Sequence, residues 1–156
     1  NRRRESCGFM LIGNYTAKMD EKGRLKIPAD FKHYLGETYK STDFYVTSLK
    51  GQSVWIYPMT VWEEKQEKLN QAPSEEPAIR KYIDRVSYYG QRQQIDSQGR
   101  ILIHPLLRTA ANLVGEVMVM GKSKFLEVWE AEDFTSRLDT EPYTDEDAKI
   151  VAKYGI

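Results

Sequence analysis

The sequence has almost none of the residues that catalytic or metal centres usually require. Cys7 is its only cysteine, which excludes an internal disulfide and a cysteine metal site. Histidine is scarce as well, with only His33 and His104, and these two do not occupy matching positions in the internal repeat described below. No Ser/His/Asp set, His-Glu-x-x-His run or Walker-type glycine loop is present. We therefore expect no cofactor, no metal ion and no enzymatic activity.

Long hydrophobic runs are also lacking. The longest are a few residues, far short of the roughly 20 that span a bilayer, and no signal-peptide core lies near the start. The chain has 156 residues, of which 40% are hydrophobic and 29% charged, so it can bury a core without disulfide or metal. These features predict a cytoplasmic protein without a membrane partner.

The chain has no net charge, with 23 basic and 23 acidic residues. This balance argues weakly against a polyanionic partner. The charges are unevenly distributed, however. Residues 80–108 contain six basic and two acidic side chains, whereas residues 139–149 contain five acidic and one basic. A neutral chain can therefore still present a basic face.

The first nine residues, "NRRRESCGF", lack any periodicity, and the strand-like pattern begins at Met10. We interpret Met10 as the natural start and residues 1–9 as an upstream or cloning-derived extension without fixed structure. The alternative is that Arg2, Arg3 and Arg4 form a basic arm that contacts nucleic acid.

The chain contains two copies of one pattern. "DEKGR" (20–24) recurs as "DSQGR" (96–100) at an offset of 76 residues, and each copy leads into a short apolar strand. A second block, 54–62, aligns with 126–134 at an offset of 72. Two copies in the same order predict a pseudo-twofold unit.

Each half is predicted to contain a strand, the turn, a second strand, a helix led by Pro28 or Pro105, two more strands and a closing helix. Thr60 and Glu63 fit a capping box for the first closing helix. The patterns divide the chain into segments: 1–9, an extension; 10–70, the first repeat with its closing helix; 71–77, a linker; 78–138, the second repeat with a preceding helix; and 139–156, an acidic C-terminal tail.

The turn residues have two interpretations. Asp and Gly at these spacings favour a tight turn, so Gly23 and Gly99 are interpreted as structural. Strand alternation sends Arg24 away from the apolar face, where the preceding aspartate can hold its guanidinium. Such an arginine is either an ordinary surface ion pair or a preorganised contact for a phosphate or a guanine edge. The residues alone do not decide between them.

Asp20 and Asp96 could also form an acid–base pair. Their basic neighbours would keep both carboxylates ionised, which suits neither an acid with a raised pKa nor a dyad.

Two longer stretches resemble one known family. "MLIGNYTAKMDEKGRLKIPADFKHYL" and "QIDSQGRILIHPLLR" are similar to the MraZ proteins of bacteria, which belong to the AbrB-like, swapped-hairpin class. The resemblance runs from Met10 to about Leu138, with both Asp-x-x-x-Arg motifs in the expected order. It implies an α+β, mainly β fold: a duplicated AbrB-like swapped-hairpin β-barrel with short helices, pseudo-twofold within one chain.

The resemblance also implies a function. Such proteins are transcriptional regulators that bind double-stranded DNA at short direct repeats ahead of the cell-division and cell-wall gene cluster, including their own gene. It implies a ring-shaped, octamer-like homo-oligomer, nucleoid association and no small-molecule substrate. By position, Asp20, Arg24, Asp96 and Arg100 would mark the DNA-facing surface.

Strand geometry adds Lys22 and Lys26 to this DNA-facing set. The second copy has Gln98 and Leu102 at these places, so we expect the first hairpin to contribute more phosphate binding. The alternative is a protein-binding scaffold or assembly factor without DNA specificity, which the zero net charge and the acidic tail favour.

Overall fold

The computed structural model describes residues 10–156, and the predictions made for residues 1–9 lie outside them. The fold is mixed α+β, and its strands pair in antiparallel fashion. The strands are β1 (Asn14–Lys18), β2 (Arg24–Lys26), β3 (Asp43–Thr47), β4 (Val54–Pro58), β5 (Gln91–Gln94), β6 (Arg100–Leu102), β7 (Glu116–Gly121) and β8 (Leu126–Glu130). The helices are α1 (Ala29–Tyr39), α2 (Met59–Gln71), α3 (Pro77–Tyr88), α4 (Pro105–Ala110), α5 (Ala131–Thr140) and α6 (Asp145–Ala152). None of the helices in this part of the chain combines the length and the apolar composition that a membrane-spanning helix needs.

The six longer strands form one sheet in the order β1-β7-β8-β4-β3-β5. Its outer strands each pair with a strand of the other half. β1 pairs with β7, with Tyr15 opposite Val119, and β5 pairs with β3, with Arg92 opposite Tyr45. The two halves are therefore joined through hydrogen-bonded ladders and not only through side-chain packing.

The predicted β-barrel is wrong for the described strands, which leave the sheet open. β1 and β5 are its two outer strands and do not pair with each other. Each runs into an Asp-x-x-Gly-Arg turn, and the strand beyond the turn leaves the six-stranded sheet. These short strands, β2 and β6, form a separate two-stranded sheet.

The main core lies between the two sheets and helices α1 and α4. Strand alternation creates it: Leu25 and Ile101, opposite each other in β2 and β6, are both 0% exposed. Full burial of such side chains stabilises the fold by about 1.5–3 kcal/mol each. Other core residues from both halves include Ile27, Phe31, Leu35, Val46, Ile56, Ile103, Leu107, Val117, Val119, Leu126 and Val128.

A second, aromatic core lies under α2 and α3. Tyr57 stacks on Phe125 with ring centroids 4.4 Å apart, and Tyr45 stacks on Trp62 at 4.7 Å. Burial raises the pKa of the Tyr57 hydroxyl well above its usual range. The buried carbonyl of Val86 accepts hydrogen bonds from strand β3 and thereby fixes the end of α3.

The C-terminal segment forms a helix, α6. Thr144 and Asp147 make a reciprocal capping box at its start. None of its residues is buried, and Ile150 and Tyr154 are 52% and 77% exposed. The apolar side of this segment is thus uncovered in a single chain.

Candidate nucleic-acid interface

The first turn is organised around the carboxylate of Asp20. Its Oδ1 accepts hydrogen bonds from the backbone N–H groups of Lys22 and Arg24, both at 2.9 Å. Its Oδ2 accepts from Arg24 Nε at 2.8 Å. Gly23 completes the turn at φ +81°, a conformation that favours glycine. One side chain therefore both builds the turn and fixes the arginine.

The second turn repeats this geometry closely. Asp96 Oδ1 accepts from the backbone N–H groups of Gln98 and Arg100, both at 2.9 Å, and Oδ2 accepts from Arg100 Nε at 2.9 Å. Gly99 has φ +78°. The sequence repeat is thus a structural repeat down to individual hydrogen bonds.

The pairing of β2 with β6 places both arginines on one surface. Arg24 lies opposite Leu102, and Lys26 lies opposite Arg100. These four side chains share the outward face, because the residues between them point into the core. Arg24 and Arg100 are 30% and 25% exposed. Both guanidiniums can therefore be reached from solvent while their stems are held.

The two turns are also close enough to interact electrostatically. Arg100 Nη1 lies 4.0 Å from Asp20 Oδ2, so the first carboxylate faces the arginines of both turns. The backbone N–H of Arg24 lowers the pKa of Asp20, as does the Arg24 side chain. The backbone N–H of Arg100 lowers the pKa of Asp96 in the same way. Both carboxylates are therefore firmly ionised near neutral pH.

The six residues predicted to face DNA lie at these two turns and strands. Arg24, Arg100 and Lys26 share the outward face of β2 and β6, and the two aspartates support the arginines from the turns. Lys22 is exposed at the tip of the first turn, where its backbone N–H is bound to Asp20. The register also places a charged residue of the first copy beside the second copy, because Lys26 is the cross-strand neighbour of Arg100.

Sequence reasoning missed two basic residues at this surface. The Arg108 guanidinium lies against Gly23, where it occupies the space that a Cβ atom would take. The Lys32 side chain passes over Gly99, with Cδ 3.1 Å from the corresponding Cβ position. The two residues match in the 76-residue repeat, and this match was the signal that could have identified them.

His104 is a buried residue that immediately precedes α4. It is 4% exposed at the start of α4, and its Nε2 donates to the Tyr89 carbonyl at 2.7 Å. Its Nδ1 has no hydrogen-bond partner among the described residues. Burial lowers the pKa of His104, and the nearby Arg108 lowers it further. The imidazole is therefore a neutral structural group.

The surface is suited to anion binding. Six basic side chains surround the turns, and three acidic ones accompany them. The basic residues are Lys22, Arg24, Lys26, Lys32, Arg100 and Arg108, and the acidic residues are Asp20, Glu21 and Asp96.

Among residues 10–156, no group of His, Cys, Asp and Glu side chains is arranged to hold a metal ion.

Comparison with known proteins gives the same family name in every match described here. The model of the family described as "MraZ protein, putative antitoxin-like" matches residues 10–85 and 90–152. The chain is 44% identical over 147 residues to the protein named "Transcriptional regulator MraZ" of Acidobacterium capsulatum, covering 94% of this chain and 100% of that protein. Proteins of the same name from Koribacter versatilis and Herpetosiphon aurantiacus are 42% and 35% identical over 147 and 151 residues, each with the same coverage of both chains.

Proposed function

Because the chain belongs to the MraZ family, whose relatives are named transcriptional regulators, we propose that it regulates transcription by binding double-stranded DNA through the outward face of β2 and β6. The observation that carries this proposal is the placement of Arg24 and Arg100 on the same outward face, each fixed by its own aspartate. Glycine-built turns leave both guanidiniums accessible.

The geometry favours nucleic acid over an ordinary surface ion pair. An exposed ion pair contributes only about 0–1 kcal/mol to stability, and one such pair would need no particular location. Here two pairs converge on one outward face. Each aspartate binds its arginine through Nε, so donors of the guanidinium fork remain for a phosphate or a guanine edge.

The proposed targets are short direct repeats in the promoter upstream of the cell-division and cell-wall gene cluster, including the chain's own gene. The proposed active form is a ring-shaped, octamer-like homo-oligomer, which would be cytoplasmic and nucleoid-associated. A single chain has no net charge, but a ring can engage successive repeats, and its contacts then multiply through effective concentration.

The proposed architecture within each chain is a duplicated, swapped-hairpin unit. Its support is the exchange of partners, β1 with β7 and β5 with β3, together with the pairing of β2 with β6. These pairings support an approximate twofold relation between the two halves.

DNA binding is tested by gel shifts on the region upstream of the chain's own gene, comparing the parent with Arg24→Ala and Arg100→Ala. Each substitution is expected to reduce affinity about 5- to 150-fold, the value of a good bidentate base contact. Arg137→Ala is the matched control, since Arg137 also pairs with an acidic residue four positions away, Glu141, at 3.5 Å. Undiminished binding by both turn variants would refute the proposed site.

Ring assembly is tested by light scattering. The uncovered apolar residues of the C-terminal segment support it, because Ile150 and Tyr154 are largely exposed in a single chain. We expect a parent mass of several protomers and a lower mass for the Ile150→Ser, Tyr154→Ser double variant. A monomeric parent at micromolar concentration would contradict the ring.

A further inference from the structure

The helices that follow the two turns each reach across to the turn of the other half. Lys32 on α1 and Arg108 on α4 occupy equivalent places, since each backbone N–H bonds to the carbonyl of the helix-capping residue, Pro28 or His104. Each side chain then lies over the glycine of the opposite turn. The crossing follows from the paired strands β2 and β6, which bring each helix beside the other half's turn.

The two side chains are used differently. Arg108 Nη1 donates to the Ile103 carbonyl at 3.1 Å and lies 3.4 Å from the Lys22 carbonyl. Its guanidinium thus joins the backbone of the first turn to the end of β6. The Lys32 side chain is exposed and makes no hydrogen bond or ion pair with any residue in the described part of the chain. Its ammonium therefore remains available to an external anion.

The second turn is also where the sequence supplies less charge. Gln98 and Leu102 stand where the first copy has Lys22 and Lys26. In the structure, Lys32 is placed against Gly99 of this turn. The first half of the chain therefore supplies a lysine to a turn that has Arg100 but no lysine of its own.

We propose that Lys32 is a phosphate-contacting residue of the second turn, and that its repeat counterpart Arg108 positions the first turn without contacting DNA. The proposal rests on the DNA-binding function proposed above. It assigns the two halves unequal but complementary roles: one crossing side chain binds the ligand, and the other holds the backbone that presents Lys22 and Arg24.

The test uses the full-length chain and a fluorescent duplex carrying the region upstream of its own gene. Affinity is measured at several salt concentrations for Lys32→Ala, Arg108→Ala, Arg108→Lys and the control Lys124→Ala. Lys124 lies in the turn after β7, at the end of the β1–β7 pair remote from the Asp20 turn. Circular dichroism checks the fold of every variant.

Lys32→Ala is expected to lower affinity about three- to tenfold and to make the slope of log affinity against log salt shallower by about 1 for each engaged subunit. Arg108→Ala is expected to lower affinity with an unchanged slope, because no phosphate contact is lost, and Arg108→Lys should recover part of the affinity. Lys124→Ala should match the parent. An unchanged affinity and slope for Lys32→Ala, or a shallower slope for Arg108→Ala, would overturn the assignment.

A double-mutant comparison identifies the turn that Lys32 serves. Residues that act together show non-additive effects, so Lys32→Ala should cost less in an Arg100→Ala background than in the parent, and its full cost in an Arg24→Ala background. Equal costs in both backgrounds would overturn the link to the second turn while leaving DNA binding itself intact. A parent that binds no DNA would overturn both proposals.

Discussion

The two turn glycines offer a matched pair of substitutions whose costs should differ. Gly23 and Gly99 have nearly the same backbone conformation, at φ +81° and +78°. Their surroundings differ, because a Cβ at Gly23 would coincide with the Arg108 guanidinium, whereas one at Gly99 would only touch the Lys32 stem at 3.1 Å. Gly23→Ala and Gly99→Ala therefore share the backbone strain and differ in what must move.

The difference can be given a magnitude. A non-glycine residue at positive φ costs about 1–3 kcal/mol, which both variants share. Gly23→Ala must also displace Arg108 from the carbonyls that it holds, at a further cost of about 1.5–3 kcal/mol for a hydrogen bond from a charged group. Lys32 can shift by a few tenths of an ångström at little cost. Gly23→Ala should therefore melt roughly 3–12 °C below Gly99→Ala for a chain of this size.

Thermal unfolding followed by circular dichroism measures this difference, at one fixed protein concentration because association alters apparent stability. Repeating both substitutions in an Arg108→Ala background supplies the control, since the difference should then nearly vanish. Equal melting temperatures in the native background, or a lower one for Gly99→Ala, would refute the role given to Arg108.

Three further results are expected. The pKa of His104 is lowered chiefly by burial. The contribution of neutral His104 to stability is therefore full above the unfolded-state pKa of 6.5 and is lost as pH falls through the folded-state pKa. Urea unfolding midpoints should drop between pH 7.5 and 5.5, and they should drop less steeply for His104→Gln. The lowered pKa values of Asp20 and Asp96 imply stabilisation that is present above pH 3.8 and lost on acidification. In an acid titration of stability, Asp20→Asn should therefore lose less stability than the parent, because the contribution of the Asp20 carboxylate is already absent. If about 6–8 phosphates are neutralised, parent affinity should fall with salt at a log–log slope of roughly −5 to −7, and a slope near zero would exclude electrostatic DNA binding.

Local features of the site were predictable from the sequence. The turns needed only Asp and Gly at fixed spacing, and the outward direction of Arg24 followed from alternation with the buried Leu25. The hydrogen bonds of Asp20 within its own turn involve residues at most four positions away. Hydrogen bonds between residues so close in sequence can be predicted directly from the order of the residues.

Long-range features were not predictable in the same way. The position of Lys26 opposite Arg100 depends on which strand pairs with β2 and in which register, and periodicity within one strand does not specify its partner. The contacts of Arg108 and Lys32 with the opposite turns depend on the same pairing. The barrel expected from the resemblance also failed at this level, because the outer strands lead into β2 and β6 and do not pair with each other.

The predicted start of one helix was also wrong. Thr60 and Glu63 matched a capping box, but α2 begins at Met59 after Pro58 and has no side-chain cap. The same chemistry occurs at Thr144 and Asp147 in the C-terminal segment. Cap motifs are short and therefore occur by chance. The direction in which the preceding strand leads the chain can instead determine where the helix begins.

The exchange of outer strands has a consequence for synthesis on the ribosome. Tyr15 finds its partner, Val119, only after about a hundred further residues have been added. Until then β1 is an unpaired strand edge, of the kind that can template association between chains. Contacts so distant in sequence also slow folding. The nascent chain therefore depends on the last third of its sequence to protect the first, and a prematurely terminated product would expose β1 for as long as it persists.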